Sequence, residues 1–398
     1  MSAALAPGTD TYDVVVAGGG PAGCAAALVL ARAGRTVLLA DAGTGPAKVG
    51  ETLVPAGRVL LGDLGVADRV LGSGHLPCYG SLSAWGSADL HAVDFINDPH
   101  GHGWHLDRRL FDRRLRDASR AAGAEVAEGS AVRATTRTPD GRWTLVLRGG
   151  TGPAGIRSGG ERTVRCRWVI DATGRAAAIA VRCGARRRVG DRLTALYVPL
   201  EADPLDTDRR SLVESDEDGW WYTAPQPSGG RLVAYFTDAD LPAASDTARH
   251  FRRRMSATRH LSRWVHRDGP PPTSPAAPRR AAAHTAHLDT VYGDGWTAAG
   301  DAAVAFDPLS SQGVLTALYT GLGAGLAVDT CLGGAPHGAD SALAAYADKV
   351  AAARSAYLRG HRVIHAQEAR WTDRSFWARR LSDRPDSSRQ PQEEPSAS

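Results

Sequence analysis

Three short clusters hold the residues best suited to chemistry, and their order along the chain is as informative as their types. Residues 18–23 read Gly-Gly-Gly-Pro-Ala-Gly after the apolar run 12–17. Residues 171–174 read Asp-Ala-Thr-Gly after the apolar run 168–170. Gly300-Asp301 comes later, followed by Phe306-Asp307-Pro308 and by Gly313 at the start of an apolar stretch. A glycine-rich turn between a strand and a helix is suited to phosphate. Gly18 permits the tight turn, Gly20 lets backbone approach a pyrophosphate, and Gly23 lets the helix pack close to the strand. The helix N-terminus adds free N–H groups and a partial positive charge. Asp41 ends the second strand, 36–40, eighteen positions after Gly23, where a carboxylate can hold ribose hydroxyls. Gly18, Gly20, Ala22, Gly23 and Asp41 are therefore expected to bind a dinucleotide.

The glycine turn alone fits nicotinamide and flavin dinucleotides equally. With the two later motifs, residues 11–381 resemble the glutathione-reductase-type FAD fold of flavin hydroxylases, flavin-dependent halogenases and geranylgeranyl reductases. The resemblance implies FAD as cofactor. It implies that Asp171 and Gly174 pass beside it, that Gly300 and Asp301 meet the ribityl chain, and that the helix after Pro308, starting near Gly313, points at the flavin pyrimidine ring. A helix N-terminus there stabilises the negative charge of reduced flavin near N1 and C2. Residues 48–55, Lys-Val-Gly-Glu-Thr-Leu-Val-Pro, resemble a flavin-contacting halogenase loop and add Lys48 and Glu51. Residues 101–112 resemble the segment whose arginine, here Arg108, reaches the FAD. Segments 307–313 and 369–380 resemble a halogenase-like subgroup that includes flavoproteins hydroxylating a tryptophan of a partner protein during quinone-cofactor maturation.

Halogenation itself fits the residues poorly. Halogenases of this kind use a lysine 60–70 positions after the glycine motif, where a charged amine polarises the oxidant. Residues 77–86 contain none, and the whole chain has only Lys48 and Lys349 among its 47 basic residues. The halogenase WxWxIP motif is altered as well, with Tyr222 at its second tryptophan and Ala224 at its isoleucine. Oxygen insertion remains: an FAD-dependent monooxygenase acting through a flavin C4a-hydroperoxide on an aromatic, indole-like substrate, either free or carried on a peptide or carrier protein. An oxidase or dehydrogenase is the alternative. The protein's part is to hold the ring and exclude water. Trp85, His91, Trp220, Trp221, Tyr222 and Tyr235 are candidates for the pocket. Trp221, Tyr222 and, as base or hydrogen-bonding group, His105 are the catalytic candidates. His100, His102 and His105 fit no zinc spacing, and no metal is expected. No second glycine-rich strand–helix unit occurs between 180 and 300, so reducing equivalents come either from NAD(P)H bound transiently over the flavin or from a partner flavin reductase.

The elements that must position these groups read as α/β. A Rossmann-type FAD domain is expected at 12–72, 104–190 and 285–335, interrupted by an antiparallel-sheet substrate domain at 73–103 and 191–284. A C-terminal helical region covers 336–382, and the polar tail 383–398 is expected to be disordered. With 398 residues and 43% apolar composition, the chain is long enough for a large core. Five scattered cysteines without a CxxC argue for reduced thiols. No stretch reads as a signal peptide or as an uninterrupted membrane span, so a cytoplasmic enzyme with neither membrane nor nucleic-acid partner is expected. The net charge of +4 is carried in arginine runs that read as solvated faces.

Overall fold

The computed structural model describes residues 10–43, 52–149, 160–201, 206–264, 277–334 and 336–382. Lys48, Glu51 and the tail 383–398 lie outside them.

The first strand, Asp10–Ala17, sits at the centre of an eight-stranded sheet, and its Val14, Val15 and Val16 are fully buried. It pairs in parallel with Val37–Asp41 on one side and Glu161–Asp171 on the other. Strands buried on both faces lose the alternation of a half-solvated strand, which is why these segments read as continuous apolar runs. Glu125–Glu128 extends the sheet beyond Val37–Asp41, and Trp296–Ala298 extends it beyond Glu161–Asp171. Trp143–Arg148 and Ala131–Arg137 continue as antiparallel strands. Helix Pro21–Arg32 lies against this sheet, and helix Gly313–Leu332 packs on it through small residues. A Cβ at Gly321 would sit 2.2 Å from the Ala22 carbonyl oxygen, so glycine sets the spacing of the two helices. Helix Gly313–Leu332 is long and apolar enough by composition to cross a bilayer, yet here it is packed against Pro21–Arg32 and Pro336–Ala366.

A second sheet of seven strands runs in the order 279–282, 193–200, 231–238, 219–225, 211–216, 80–84 and 91–94. All its pairs are antiparallel except one: Ser211–Asp216 runs parallel to Gly80–Ala84. Those two strands come from separate excursions of the chain, so no hairpin dictates their direction. Its two faces bury different clusters. Trp220, Phe236 and Leu193 share one face with Phe376 and Trp377 of the C-terminal segment. Trp221, Tyr235 and Leu196 share the other with Phe251 and Met255 of helix Ala248–Ser256. Thr52–Leu53, Leu76–Cys78 and Gly103–His105 form a small third sheet between the two larger ones in sequence.

Candidate functional site

An elongated cavity of about 590 Å³ begins at the glycine turn 18–20, passes Asp41, Arg108, Gly174, Gly300 and Asp301, and ends at Pro308, Ser311 and Gly313. Its far wall comes from the second sheet: Ala195, Trp220, Tyr222, Phe236 and Ala281–Ala283. The three sequence clusters thus meet along one channel.

At its start, the backbone leaves no room for side chains. Gly18 has φ +114°, and a Cβ there would lie 2.1 Å from the Ala172 carbonyl oxygen. Gly20 is the N-cap of helix Pro21–Arg32, and no side chain caps that helix. Its first N–H groups therefore face the cavity with their partial positive charge, an arrangement made for an anion such as pyrophosphate. Gly23 does not line the channel; a Cβ there would be 1.9 Å from the Gly18 carbonyl oxygen, so it permits helix and turn to pack. Asp41 is held in place by Arg116, whose guanidinium lies 3.2 Å from the carboxylate, and by the Gly19 N–H at 3.4 Å. Arg116 also bonds Glu128 at 3.0 Å. Sequence reasoning missed this arginine, because its helix approaches the glycine turn only in the folded chain. Ser130, Ala131 and Val132, which wall the same end, were missed for the same reason.

Midway, Asp301 lines the channel, and its carboxylate lies 3.5 Å from Arg175 Nε. Arg175 in turn donates to the Phe306 carbonyl at 3.1 Å, so it ties the Asp171-Ala172-Thr173-Gly174 segment to the turn 306–313. Arg108, at the start of helix Arg108–Ala121, lies 3.3 Å from Asp112 and lines the channel. Asp171 requires a correction. It was expected to contact FAD but is fully buried, and its carboxylate is occupied by protein donors. One oxygen accepts from Thr173 N–H at 2.9 Å and its hydroxyl at 2.6 Å; the other accepts from Ile179 and Ala180 N–H, both at 2.8 Å. The residues that reach the channel are Ala172 to Arg175, which this carboxylate holds in shape.

At the far end, helix Gly313–Leu332 starts at the channel with no side-chain cap, so its N–H groups are also open to it. Ser311, at φ +51°, turns the chain into that helix. Trp220 stacks on Phe236 with ring centroids 3.9 Å apart and planes at 12°. Its indole Nε1 is buried without a hydrogen-bond partner among the described residues. Taken together, the open helix termini, the side-chain-free backbone and the aromatic far wall fit a long dinucleotide with an aromatic end, as FAD is.

Trp221 is a second correction. It is fully buried on the opposite face of the sheet, donates its Nε1 to Asp216 at 3.1 Å, and packs on Tyr235 and Phe251. Adjacent residues of a strand point to opposite faces, so Trp221 and Tyr222 cannot both reach the channel. Tyr235 goes with Trp221. Trp85 donates to the Ile364 carbonyl at 2.8 Å and packs edge-on against Trp377, away from the channel, and His91 lies exposed on the edge strand.

His105 does not line the channel either, but it is linked to a residue that does. Its Nε2 lies 2.8 Å from the Arg209 carbonyl, which only a protonated nitrogen can satisfy. Burial pushes its imidazole down to about 4, so near neutrality the ring is uncharged and Nδ1 is an acceptor. Thr52 Oγ lies 3.4 Å from that Nδ1 and 2.7 Å from the Tyr222 hydroxyl. Thr52 thus links the Tyr222 hydroxyl to the His105 ring. Thr52 was not singled out in the sequence.

Two expected results follow from this geometry. Asp301→Ala weakens FAD by about 1.5–3 kcal/mol through loss of a charge-assisted hydrogen bond, measured by fluorescence titration of the apoprotein. A purified protein that takes up FMN or NAD in place of FAD overturns the assignment. The second concerns acid stability. A histidine depressed to about 4 when folded takes up its proton more readily in the unfolded chain, near 6.5. The unfolded state therefore binds more protons across that window. The stability that neutral His105 contributes is present above pH 6.5 and is lost on acidification towards pH 4, by roughly 3 kcal/mol. Denaturant unfolding at pH 7 and pH 5 measures the loss, and His105→Asn should flatten it.

Comparison with known proteins places the fold. The family model described as FAD binding domain matches residues 11–359. The FAD-dependent oxidoreductase LodB of Marinomonas mediterranea is 28% identical over 377 residues, covering 93% of this chain and 97% of LodB. Among solved structures, the myxobacterial chondrochloren halogenase CndH superimposes with a TM-score of 0.80 at 22% identity, over 93% of this chain and 86% of that one. QhpG, a peptidyl tryptophan dihydroxylase essential for tryptophylquinone cofactor biogenesis, superimposes at 0.75 with 25% identity, over 93% of this chain and 78% of its own. The chain belongs to the FAD binding domain family and is an FAD-dependent oxidoreductase of halogenase-like, monooxygenase-type architecture.

Proposed function

We propose that this enzyme hydroxylates an electron-rich aromatic ring of the indole type, presented on a peptide or carrier protein. The observation that carries the reading is the wall of the channel at its flavin end. Trp220 on Phe236 forms a flat apolar surface, Tyr222 stands beside it, and no lysine lines the channel among the described residues. An apolar wall excludes water from a reactive oxidant. A substrate of this kind is supported by the likeness to QhpG, a peptidyl tryptophan dihydroxylase.

Bound FAD supplies the redox and oxygen-activating chemistry. The chain's own groups do the rest. The indole ring of Trp220 shields one side of the site. Tyr222, held by Thr52 at 2.7 Å, lines the channel beside Trp220 and helps fix the orientation of the substrate ring. Neutral His105 anchors that line of bonds from beneath. Electrons come from NAD(P)H or from a partner flavin reductase.

The test supplies reduced FAD, O2, chloride and bromide to the enzyme with a tryptophan-containing peptide and follows product mass. Gain of oxygen supports the proposal. Loss of two hydrogens without oxygen would identify an oxidase or dehydrogenase instead. A brominated or chlorinated product above a peroxide-only control would overturn the expectation that halide is not a substrate.

A further inference from the structure

The turn that closes the flavin end of the channel also meets the long C-terminal helix Pro336–Ala366. Two histidines one helical turn apart, His361 and His365, face Asp307 there, and the three residues each offer a ligand atom within 4.8 Å of the others. Asp307 is buried; one carboxylate oxygen lies 3.5 Å from His361 Nε2, and the other accepts from the Leu309 N–H at 2.8 Å. The two imidazole centroids are 4.0 Å apart. His365 is fully buried, packed edge-on against Trp85 at 5.6 Å and near Trp377 at 6.0 Å. Its Nδ1 lies 2.9 Å from the His361 carbonyl and must donate to it. That fixes the tautomer and leaves Nε2 with a lone pair. This nitrogen has no partner among the described residues.

A simple Asp307–His361 ion pair accounts for two of these groups and leaves the third unexplained. A buried acceptor without a donor costs about 1–3 kcal/mol. A ring held by a backbone carbonyl through one nitrogen, with the other free and aimed at a neighbouring imidazole and carboxylate, is how metal-binding histidines are oriented. We infer that Asp307, His361 and His365 form a binding site for a divalent transition cation, with the Nε2 atoms of both histidines and one Asp307 oxygen as ligands.

The donor set selects the class of ion. Two imidazoles and a carboxylate suit zinc and its first-row neighbours, whereas magnesium and calcium prefer all-oxygen shells. Three protein ligands leave a position for water, and a separate cavity of about 670 Å³, lined by Phe306, Tyr357, His361 and Arg362, reaches the site at His361. The guanidinium of Arg380, a nearby positive charge, is held by Asp238 at 2.8 Å. Asp307 is further fixed by its N–H, which donates to the Tyr357 hydroxyl at 3.2 Å. A cation here pins the turn that faces the flavin to the C-terminal helix. The site is independent of which substrate the enzyme oxidises.

The test uses the FAD-loaded full chain, stripped with a chelator and titrated with Zn²⁺ against a chromophoric competitor, with bound metal counted by elemental analysis. Wild type should take up one equivalent. His365→Ala should bind on the order of 100-fold more weakly or not at all. Asp307→Asn, which keeps the shape and the Leu309 bond, should lose the metal while still folding. Zn²⁺ should raise the Tm of wild type but of neither variant. Substoichiometric uptake by wild type, or undiminished uptake by either variant, would overturn the site. Because the readout is bound metal and not turnover, its failure leaves the hydroxylation proposal untouched.

Discussion

Trp220→Ala is expected to keep FAD and lose coupling, so that O2 consumption ends in hydrogen peroxide and not in product. Trp220 forms the apolar wall at the flavin end, stacked on Phe236, and truncating it opens that wall to water. Removing a fully packed tryptophan also costs about 3–5 kcal/mol of stability, so the measurement must separate the two effects. Trp221→Ala provides the separation. It removes an equally buried indole from the opposite face of the same strand, where it packs on Tyr235 and Phe251. It should lose similar stability and keep the ratio of product to O2. Measured below both melting temperatures, peroxide release that rises in both variants equally, or in neither, would mean that this face of the sheet does not shape the oxidant's surroundings.

Gly18→Ala should give a protein that purifies without FAD. The added methyl would lie 2.1 Å from the Ala172 carbonyl oxygen, in backbone that directly follows the strand Glu161–Asp171 and is tied to Ala17 by its N–H, and φ of +114° disfavours any side chain. The turn must shift, and the helix N-terminus that holds the pyrophosphate shifts with it. Gly34→Ala is the matched control. Gly34 also has positive φ, +79°, but a Cβ there meets nothing within 4 Å. It should cost only the backbone penalty, about 1–2 kcal/mol, and retain FAD. Flavin absorbance per chain decides the matter. A flavin-replete Gly18→Ala enzyme would show that the glycine turn is not where the cofactor is held.

The sheet residues show where reading the sequence stopped short. The segment 219–225 was legible as a strand, and its period of two already requires Trp220 and Tyr222 to share a face that Trp221 cannot. Which face turns towards the channel depends on helix Ala248–Ser256 covering one side and on the C-terminal Phe376 and Trp377 meeting the other. Asp171 shows a different limit. Its motif was legible, but the carboxylate serves the N–H groups of residues 173, 179 and 180, a partnership that needs the following helix in place.

By itself the sequence determined that a dinucleotide binds and that the core is parallel α/β, because both rest on local physics; FAD in place of a nicotinamide was implied only by the resemblance carried by the two later motifs. Glycines at 18, 20 and 23 free the backbone where strand meets helix, and uninterrupted apolar runs mark strands buried on both sides. The tertiary structure alone decided which side chains meet. Arg116 reaches Asp41 across 75 residues, Thr52 joins Tyr222 to His105, and Asp307 meets His361 and His365 from another element. These contacts come from how elements distant in sequence dock on one another, and no spacing within any one of them records that docking.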